Sequence, residues 1–288
     1  MIGAMAESRD KKGWRGALAV YADRRQLVIL LMGFSSGLPL LLGFSTLSYW
    51  MAKEQVTLTA IGGLLAVSAP YSLKFLWAPV IDHASLPVLT GWLGRRRGWM
   101  LAIQCLLAVA IAILGTGDPR DNLPFIAAIA FVVAFLSASQ DIVIDAYRIE
   151  ILAEREQGAG AAMTQTGYRF GLLAAGAGAI ALADFLPWST IYLIMASLVG
   201  VGMIATFIAP EPARPPGAAD KRTDAERTSG GIVATLKHTI VAPLTEFVSR
   251  PGAWWILVFV LFYKYGDAVA GAMANPFYYQ IGFSGIEI

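Results

Sequence analysis

The sequence predicts an all-α protein that crosses a membrane several times, and three observations support this fold class. Hydrophobic residues make up 57% of the chain and charged residues only 15%, whereas soluble domains carry about 25% charged residues. Seven apolar runs are each about 20 residues or longer, the length that an α-helix needs to cross a bilayer. Lysine and arginine are also distributed unevenly between alternate connections. A chain with so little polar surface is expected to be solvated partly by lipid.

The predicted spans follow a polar, basic segment of 25 residues. The first run is too long for a signal-peptide core of about 7–15 residues, so we expect it to remain as a membrane helix. Connections 116–121 and 184–186 are so short that the helices on either side of each must form antiparallel hairpins. The spans are predicted at 26–51, 58–81, 98–115, 122–144, 159–183, 187–208 and 253–277.

Basic residues predict the orientation of these spans. Of the 22 lysines and arginines, 17 lie before the first span or in the second, fourth and sixth connections. The other connections contain only Lys53 and Arg120, and the remaining three, Lys74, Arg169 and Lys264, lie within spans. Because basic residues are retained on the cytoplasmic side during insertion, the N-terminus is predicted to be cytoplasmic.

A long polar connection divides the chain. Residues 210–252 are rich in proline, alanine and mixed charge, and they separate six spans from a seventh. We therefore predict a cytoplasmic tail (1–25), a six-helix bundle (26–209), a cytoplasmic linker (210–252) and the first helix of an incomplete second bundle (253–288). The end of the chain soon after the seventh span suggests a truncated protein. An amphipathic helix is predicted in the linker, either at the membrane surface or packed on the bundle, from Ile232, Leu236, Ile240, Leu244 and Phe247.

The second connection joins an acidic helix end at Asp82 to a basic cluster, Arg95, Arg96 and Arg97, framed by glycines. This pattern resembles the signature loop of the major facilitator superfamily, with a longer spacing. The alternative is that the positive-inside rule alone accounts for three arginines at a cytoplasmic helix end. The carboxylate of Asp82 needs a partner there, which favours a gating or structural role for this set.

Asp141 and Asp145 lie four residues apart and therefore share one face of the fourth span. Both are expected near its cytoplasmic end. Two roles remain open for them: proton transfer, or a structural pairing with Arg148 or with the basic cluster of the second connection. Gln140 would then be their hydrogen-bonding neighbour.

Arg169 lies about ten residues into the fifth span, on the order of 15 Å along the helix and thus near the middle of the bilayer. An arginine keeps its charge at any relevant pH, so it suits the binding of a carboxylate or phosphate. Lys264 and Asp267 lie at similar depth in the seventh span. Lys74 is nearer the cytoplasmic end, where snorkelling to the interface is the alternative.

Several function classes are disfavoured by the sequence. There is no phosphate-binding loop of the ATPase type, and the two histidines, His83 and His238, are too scattered for a metal site. A net charge of +2 is too small to imply nucleic acid. No nucleophile, base and orienting group occur together, so neither an enzyme nor a bound cofactor is expected.

Short motifs spread over almost the whole chain strongly resemble those of AmpG-type muropeptide permeases. They are Gly33-Phe-Ser-Ser-Gly-Leu-Pro-Leu40, Lys74-Phe-Leu-Trp-Ala-Pro79, Gly94-Arg-Arg-Arg-Gly-Trp99, Ser137-Ala-Ser-Gln-Asp-Ile-Val-Ile-Asp-Ala146, Gly158-Ala-Gly-Ala-Ala162, Gly167-Tyr-Arg-Phe-Gly171 and Tyr263-Lys-Tyr-Gly-Asp267. The resemblance implies a major facilitator fold of two six-helix bundles, of which five helices are missing here. It also implies a proton-coupled importer of N-acetylglucosamine-anhydro-N-acetylmuramyl peptides in the bacterial inner membrane, serving cell-wall recycling and linked in many bacteria to β-lactamase induction.

Together these arguments assign candidate roles to thirteen residues. Substrate binding is assigned to Arg169, Tyr168, Lys264, Gln165 and Lys74, proton coupling to Asp141, Asp145 and Asp267, and gating or structural pairing to Asp82, Arg95, Arg96, Arg97 and Gln140. The expected partners are the lipid bilayer, an anionic sugar-peptide and protons, and the protein is expected to be a monomer. The alternatives are a transporter of another anion such as acetyl-coenzyme A, or a non-transporting membrane assembly factor.

Overall fold

A computed structural model describes residues 21–212 and 242–288, apart from the side chains of 83, 242–244, 264, 267, 268 and 272. Regular secondary structure within these ranges is entirely helical. Seven long helices follow one another: α1 (Arg24–Lys53), α2 (Leu58–Leu76), α3 (Arg95–Leu114), α4 (Leu123–Ile151), α5 (Gln157–Leu173, extended by Ala174–Gly178 and Ala179–Leu182), α6 (Trp188–Ile208) and α7 (Ala253–Gln280).

Five of the described helices, α1, α2, α3, α4 and α6, are long and apolar enough to cross a membrane. The other two coincide with the remaining predicted spans. α5 is rich in glycine and amides, and α7 opens with the apolar stretch Ala253–Tyr263. The predicted all-α membrane fold is confirmed, whereas the division into two bundles stays a prediction.

Several helices differ in detail from the prediction. α4 runs seven residues further, to Ile151, so Asp145 and Arg148 lie within a continuous helix. α1 contains Pro39 but breaks later, at Phe44, where φ is −122° and ψ is −88°. A short helix, Pro87–Leu93, fills the connection between α2 and α3. Most of the amphipathic helix predicted in the linker lies outside the described residues, which contain only a short helix at Ala242–Val248.

The bundle has an arginine end and a hairpin end. The arginine end carries the start of α1, the connection between α2 and α3, and the end of α6. The hairpin end carries the short connections after α3 and α5. A buried aromatic group packs the hairpin end, where the Trp50 and Trp188 rings stack at 5.3 Å and Tyr49 and Tyr192 lie against them. A second apolar cluster, which includes Met32, Met100 and Tyr147, packs the arginine end.

Glycines allow α1 and α5 to touch backbone to backbone. A side chain on any one of four glycines would overlap a carbonyl oxygen of the opposite helix, because the two backbones are too close to admit a Cβ. The overlaps would be Gly33 with Thr164, Gly37 with Tyr168, Gly167 with Leu30, and Gly171 with Phe34. This contact fixes the rotation of α5 relative to α1.

Irregular turns in α1 and α5 receive hydrogen bonds from neighbouring side chains. The five residues Ala174–Gly178 of α5 form a π-helical turn, and the hydroxyl of Thr46, just after the break in α1, donates to the carbonyl of Ala175 at 2.6 Å. Tyr192 of α6 donates its hydroxyl to the carbonyl of Leu42, just before that break, at 3.1 Å. The carbonyl groups exposed by both irregular turns therefore remain satisfied in the apolar interior.

α7 packs on the rest of the molecule through its last turns. At the hairpin end Asn275 donates its side-chain amide to the hydroxyl of Ser45 at 2.6 Å, and the Tyr49 and Tyr279 rings meet edge to face at 5.5 Å. The backbone N–H of Ile286 donates to Asp184 at 3.2 Å. By contrast, the large apolar side chains at the start of α7, such as Trp254, are exposed. The contact between α7 and α1 is thus confined to one end of the bundle.

Candidate functional site

A pocket of about 160 Å³ lies between α1, α4 and α5. It contains four of the residues that the sequence singled out, Asp141, Asp145, Gln165 and Tyr168. The close contact between α1 and α5 forms one wall, because it places Tyr168 and Gln165 beside α1. The described residues that line it are Ser36, Asp141, Ile144, Asp145, Thr164, Gln165 and Tyr168.

Asp141 is the most enclosed acid of this pocket, with 19% of its side chain exposed. Ser36 of α1 donates its hydroxyl to one carboxylate oxygen at 2.6 Å, and the Lys74 ammonium of α2 lies 3.9 Å from the other. The predicted alternative that Asp141 pairs with the basic cluster at Arg95–97 is therefore wrong. Lys74 does not simply extend to the interface, because it lies within ion-pair distance of an acid on a neighbouring helix.

Asp145 occupies a more open position one turn away, with 54% of its side chain exposed. Its carboxylate is 3.6 Å from the guanidinium of Arg148 on the same helix, one of the two pairings expected for it. Gln140 is fully buried, and its side-chain amide has no hydrogen-bond partner among the described residues. The expectation that Gln140 hydrogen-bonds with the neighbouring aspartates is therefore not met.

Arg169 lies next to the pocket rather than in its wall. It follows Gln165 by four residues on α5, so the two residues share a helix face, and both are exposed. None of the carboxylates whose side chains the structure describes lies within ion-pair distance of its guanidinium. Lys264 and Asp267 belong to α7, but their side chains lie outside the described residues. The structure thus places an exposed, fixed positive charge beside a pocket that contains two carboxylates.

An ion-pair cluster around the buried Arg96 holds the arginine end. Arg96, with 7% of its side chain exposed, lies 2.7 Å from Asp82 and 2.5 Å from Glu150 of α4. Arg95 is 3.3 Å from Glu150 and also donates to the backbone carbonyl of Asp82. This set connects the segment after α2 with α3 and α4.

α3 and α6 cap each other's ends beside this cluster. Arg97 at the start of α3 donates to the last carbonyls of α6, those of Thr206 and Phe207, at 2.9 and 3.0 Å. Glu211, just beyond α6, accepts the backbone N–H groups of Arg96 and Arg97 at 3.0 and 3.3 Å. The positive charge of Arg97 therefore lies at the C-terminal end of α6, and the negative charge of Glu211 lies at the N-terminal end of α3. The helix dipoles favour these signs at these ends.

Three contributors were missed by sequence reasoning: Ser36, Glu150 and Glu211. Ser36 stands with Ser35 inside an apolar run, and that pair of hydroxyls was the available signal. Glu150 lies nine residues after Asp141, beyond the predicted end of the fourth span. Glu211 lies between two prolines at the start of the linker, and nothing in its local sequence indicates that it caps a helix 115 residues earlier.

Chemically, the pocket offers a carboxylate with one hydroxyl donor and one ammonium partner, and a phenol and an amide that hydrogen-bond polar groups. These groups suit the exchange of a proton and the orientation of a polar solute. Among the described residues, no group of three His, Cys, Asp or Glu side chains is placed to hold a metal ion.

Sequence comparison matches the chain to one family model and to several known proteins. The sequence model of the Major Facilitator Superfamily matches residues 27–287. Over 273 residues the chain is 42% identical to the anhydromuropeptide permease of Escherichia coli K12, covering 94% of this chain and 52% of that protein. It is 36% identical to an uncharacterized protein of Haemophilus influenzae (92% and 59% covered) and 30% identical to the putative transporter AmpG 4 of Rickettsia felis (93% and 63% covered).

These relatives confirm the resemblance to AmpG-type permeases that the motifs indicated. The chain spans about half the length of the Escherichia coli protein and less than two thirds of the other two. Its helices, its apolar composition and the family match together describe a multi-pass membrane protein. With the match extending over nearly all of its residues, the chain belongs to the Major Facilitator Superfamily.

Proposed function

We propose that this chain is part of a proton-coupled secondary transporter that imports anhydromuropeptides across the bacterial inner membrane for cell-wall recycling. The observation that carries the proposal is the pocket between α1, α4 and α5, which combines Asp141, its Ser36 and Lys74 partners and the neighbouring Arg169. The substrate class comes from the name of the Escherichia coli relative. The proposal extends to β-lactamase induction, which the resemblance implies.

The proposed orientation places the arginine end in the cytoplasm. The connections at that end carry most of the basic residues, which the insertion machinery retains on the cytoplasmic side. The hairpin end, where α7 meets α1, then faces the periplasm. Substrate moving inward enters past the hairpin end and leaves past the cluster formed by Asp82 and Arg95–97.

Arg169 is proposed to bind the substrate. Muropeptides carry carboxylates, and a carboxylate needs a cationic partner to pass through a low-dielectric region. Arg169 is exposed, and none of the acids with a described side chain would have to give up an ion pair with it when an anionic ligand binds. Gln165 and Tyr168 supply hydrogen bonds to sugar hydroxyls and peptide groups, and Lys264 is a second cationic candidate on α7.

Proton coupling is proposed to involve Asp141. A proton on this carboxylate would end its attraction for Lys74, which then becomes available to the substrate. Since Asp141 is on α4, Lys74 on α2 and Ser36 on α1, the change alters contacts between three helices and biases the exchange between outward-open and inward-open forms. Asp145 and Asp267 remain further candidates for the same role.

The test is uptake of labelled anhydromuropeptide by right-side-out vesicles that contain the protein. We expect a proton gradient to drive accumulation and a protonophore to abolish it. Arg169→Ala should reduce uptake to the level of vesicles without the protein, whereas Arg120→Ala, on an exposed connection at the hairpin end, should not. Unchanged uptake by Arg169→Ala would remove its binding role.

A second variant separates proton coupling from binding. Asp141→Asn should abolish gradient-driven accumulation but retain exchange of labelled for unlabelled substrate across the membrane, since exchange needs no net proton movement. If wild-type vesicles accumulated no muropeptide at all, the non-transporting assembly factor would become the better assignment.

A further inference from the structure

The short helix Pro87–Leu93, between α2 and α3, exposes an apolar face. Val88 is 82% exposed and Trp92, four residues later on the same face, is 71% exposed. The neighbouring exposed residues are Pro87 and Gly91, and no charged residue occurs in this helix. An exposed apolar face is unfavourable in water, so it indicates contact with a membrane or with another apolar protein surface.

This helix is firmly held, so its exposure does not come from loose packing. Gly98 lets the backbone of α3 approach Leu89, since a Cβ there would lie 3.1 Å from the Leu89 carbonyl group. The indole N–H of Trp99 donates to the carbonyl of Ala84 at 2.9 Å, and the N–H of Leu86 donates to the hydroxyl of Thr90 at 2.9 Å. One face of the helix is therefore packed on α3 while the other is presented outward in a fixed orientation.

The exposed face continues the outer surface of a membrane span. The ring of Trp92 meets the ring of Phe207, in the last turn of α6, edge to face at 6.2 Å. Phe207, Ile204 and Ile208 are all exposed large apolar residues on α6. Trp92 therefore packs directly against the part of α6 that is expected to face lipid.

Two guanidinium groups border this surface. Arg24 donates to the carbonyl of Ile208 at 2.8 Å, and Arg97 donates to that of Phe207 at 3.0 Å. They lie at the end of α6, where the span leaves the hydrocarbon and the phosphate groups of lipids are expected. Tryptophan prefers the boundary between acyl chains and headgroups, and arginine attracts anionic lipids.

From this arrangement we infer that Pro87–Leu93 is an interfacial membrane anchor. Val88 and Trp92 insert into the lipid leaflet at the arginine end, with Arg24 and Arg97 at the level of the lipid phosphates. The anchor fixes the depth of the bundle and ties the connection that contains Asp82 to the membrane surface. This inference does not depend on the substrate or on the coupling ion.

Spin labelling in liposomes tests this location. Cys105 is the one cysteine of the chain, so a Cys105→Ala background carries a single new label at Val88→Cys. We expect collisions with a water-soluble nickel complex to be several-fold fewer, and collisions with oxygen more frequent, than at Glu154→Cys, an exposed turn residue at the same end. Leu106→Cys on the exposed surface of α3 gives the fully lipid-embedded reference.

The same spectra distinguish the other occupants of this face. A nickel collision rate equal to that at Glu154→Cys would place the helix in water and overturn the inference. Dipolar broadening that disappears when unlabelled protein is added would instead assign the face to a second copy of the chain, which also overturns it.

Tryptophan fluorescence supplies a second measurement. The chain has eight tryptophans, so the signal of Trp92 is taken as the difference between the wild type and Trp92→Phe in the same liposomes. We expect this difference signal to be quenched more strongly by lipids brominated near the headgroup than by lipids brominated near the chain end. Equal insensitivity to both lipids would contradict insertion.

Discussion

Arg96 shows how this chain keeps charge inside an apolar bundle. Its guanidinium is almost fully buried, and it meets one carboxylate from the segment after α2 and another from α4. Taking such a group out of water is costly, and that cost is offset only while both acids remain in place. Asp141 is similar in kind but has a single hydroxyl donor and a more distant ammonium. The guanidinium of Arg96 therefore has closer charged partners than the carboxylate of Asp141 has.

Breaking the buried cluster should therefore destabilise the protein strongly. Arg96→Ala removes the ion-pair partner of Asp82 and leaves Glu150 with Arg95 alone. Loss of one partner from a fully buried pair costs about 3–5 kcal/mol, which is an upper bound here because 40% of the Asp82 side chain and 21% of the Glu150 side chain are exposed. The matched control is Arg250→Ala, whose ion pair with Glu246 is exposed on both sides and should contribute about 0–1 kcal/mol. Thermal unfolding in detergent measures both; equal shifts would show that the cluster carries no special stability.

At the scale of the helix, backbone contact rather than side-chain bulk joins α1 to α5. The four glycines at this contact leave no space for a methyl group on either helix. Lipid tails are as apolar as the side chains, so the hydrophobic effect does not drive helices together in a membrane. Small residues at the interface allow close van der Waals contact, which stabilises the pair instead. Because Tyr168 and Gln165 are on α5 and Ser36 is on α1, this contact also sets the shape of the pocket.

Gly167→Ala should separate the two helices. Its new methyl group would overlap the carbonyl of Leu30, and overpacking of this kind costs about 1–3 kcal/mol. Gly158→Ala is the control on the same helix, since nothing lies within 4 Å of a Cβ at that position. Unfolding midpoints and uptake should both fall for Gly167→Ala only. A Gly167→Ala protein as stable as Gly158→Ala would contradict the close approach.

The helices were largely predictable from hydropathy, because every backbone group in a membrane must be paired within its own helix. Their irregularities were not, since the break at Phe44 and the π-turn in α5 depend on hydroxyls from Tyr192 and Thr46 on other segments. The helix Pro87–Leu93 was too short to show a period. In the pocket, Asp141 and Asp145 were found because charges in apolar runs need a reason, whereas Gln165 and Tyr168 were assigned to substrate binding together with Arg169.

The partners of these predicted residues could not be found in the same way. Ser36 and Lys74 contact Asp141 from helices that are distant in sequence, and a pairing between helices depends on how the bundle is assembled. The basic cluster was predicted from its place in a cytoplasmic connection, yet Glu150, its main partner, was not. Local sequence thus located the costly charges but not the groups that stabilise them.

On the scale of the whole molecule, contacts are unevenly divided between the two ends. α7 is held to α1 at the hairpin end by Asn275, Ser45, Tyr49 and Tyr279, while the large apolar residues at its start remain exposed. Closure at one end with separation at the other is what one form of an alternating-access transporter requires. The contact between Ser45 and Asn275 should therefore open during each transport cycle.

Locking this contact should stop transport. In a Cys105→Ala background, Ser45→Cys with Asn275→Cys should be joined by a short crosslinker that attaches to each thiol through a disulfide, because the native side chains lie 2.6 Å apart. Uptake should be lost on crosslinking and recovered after cleavage of the linker by a reductant. The control pair is Ser45→Cys with Trp254→Cys. Position 254 lies about 31 Å from position 275 along α7, so this pair should not be joined. Full crosslinking with undiminished uptake would show that the contact does not open.

The glycine contact between α1 and α5 also has a consequence for biosynthesis. Thr164 follows Gly33, and Tyr168 follows Gly37, by 131 residues. At synthesis rates of about 5–20 residues per second, the partner of α1 reaches the membrane on the order of 10 s after α1 itself. During that interval the face of α1 that carries Gly33 and Gly37 has only lipid, the translocon or helices α2 to α4 as neighbours. In nascent chains arrested before residue 164, α1 should therefore react with crosslinkers. In chains that already contain α5, the same crosslinkers should no longer reach α1.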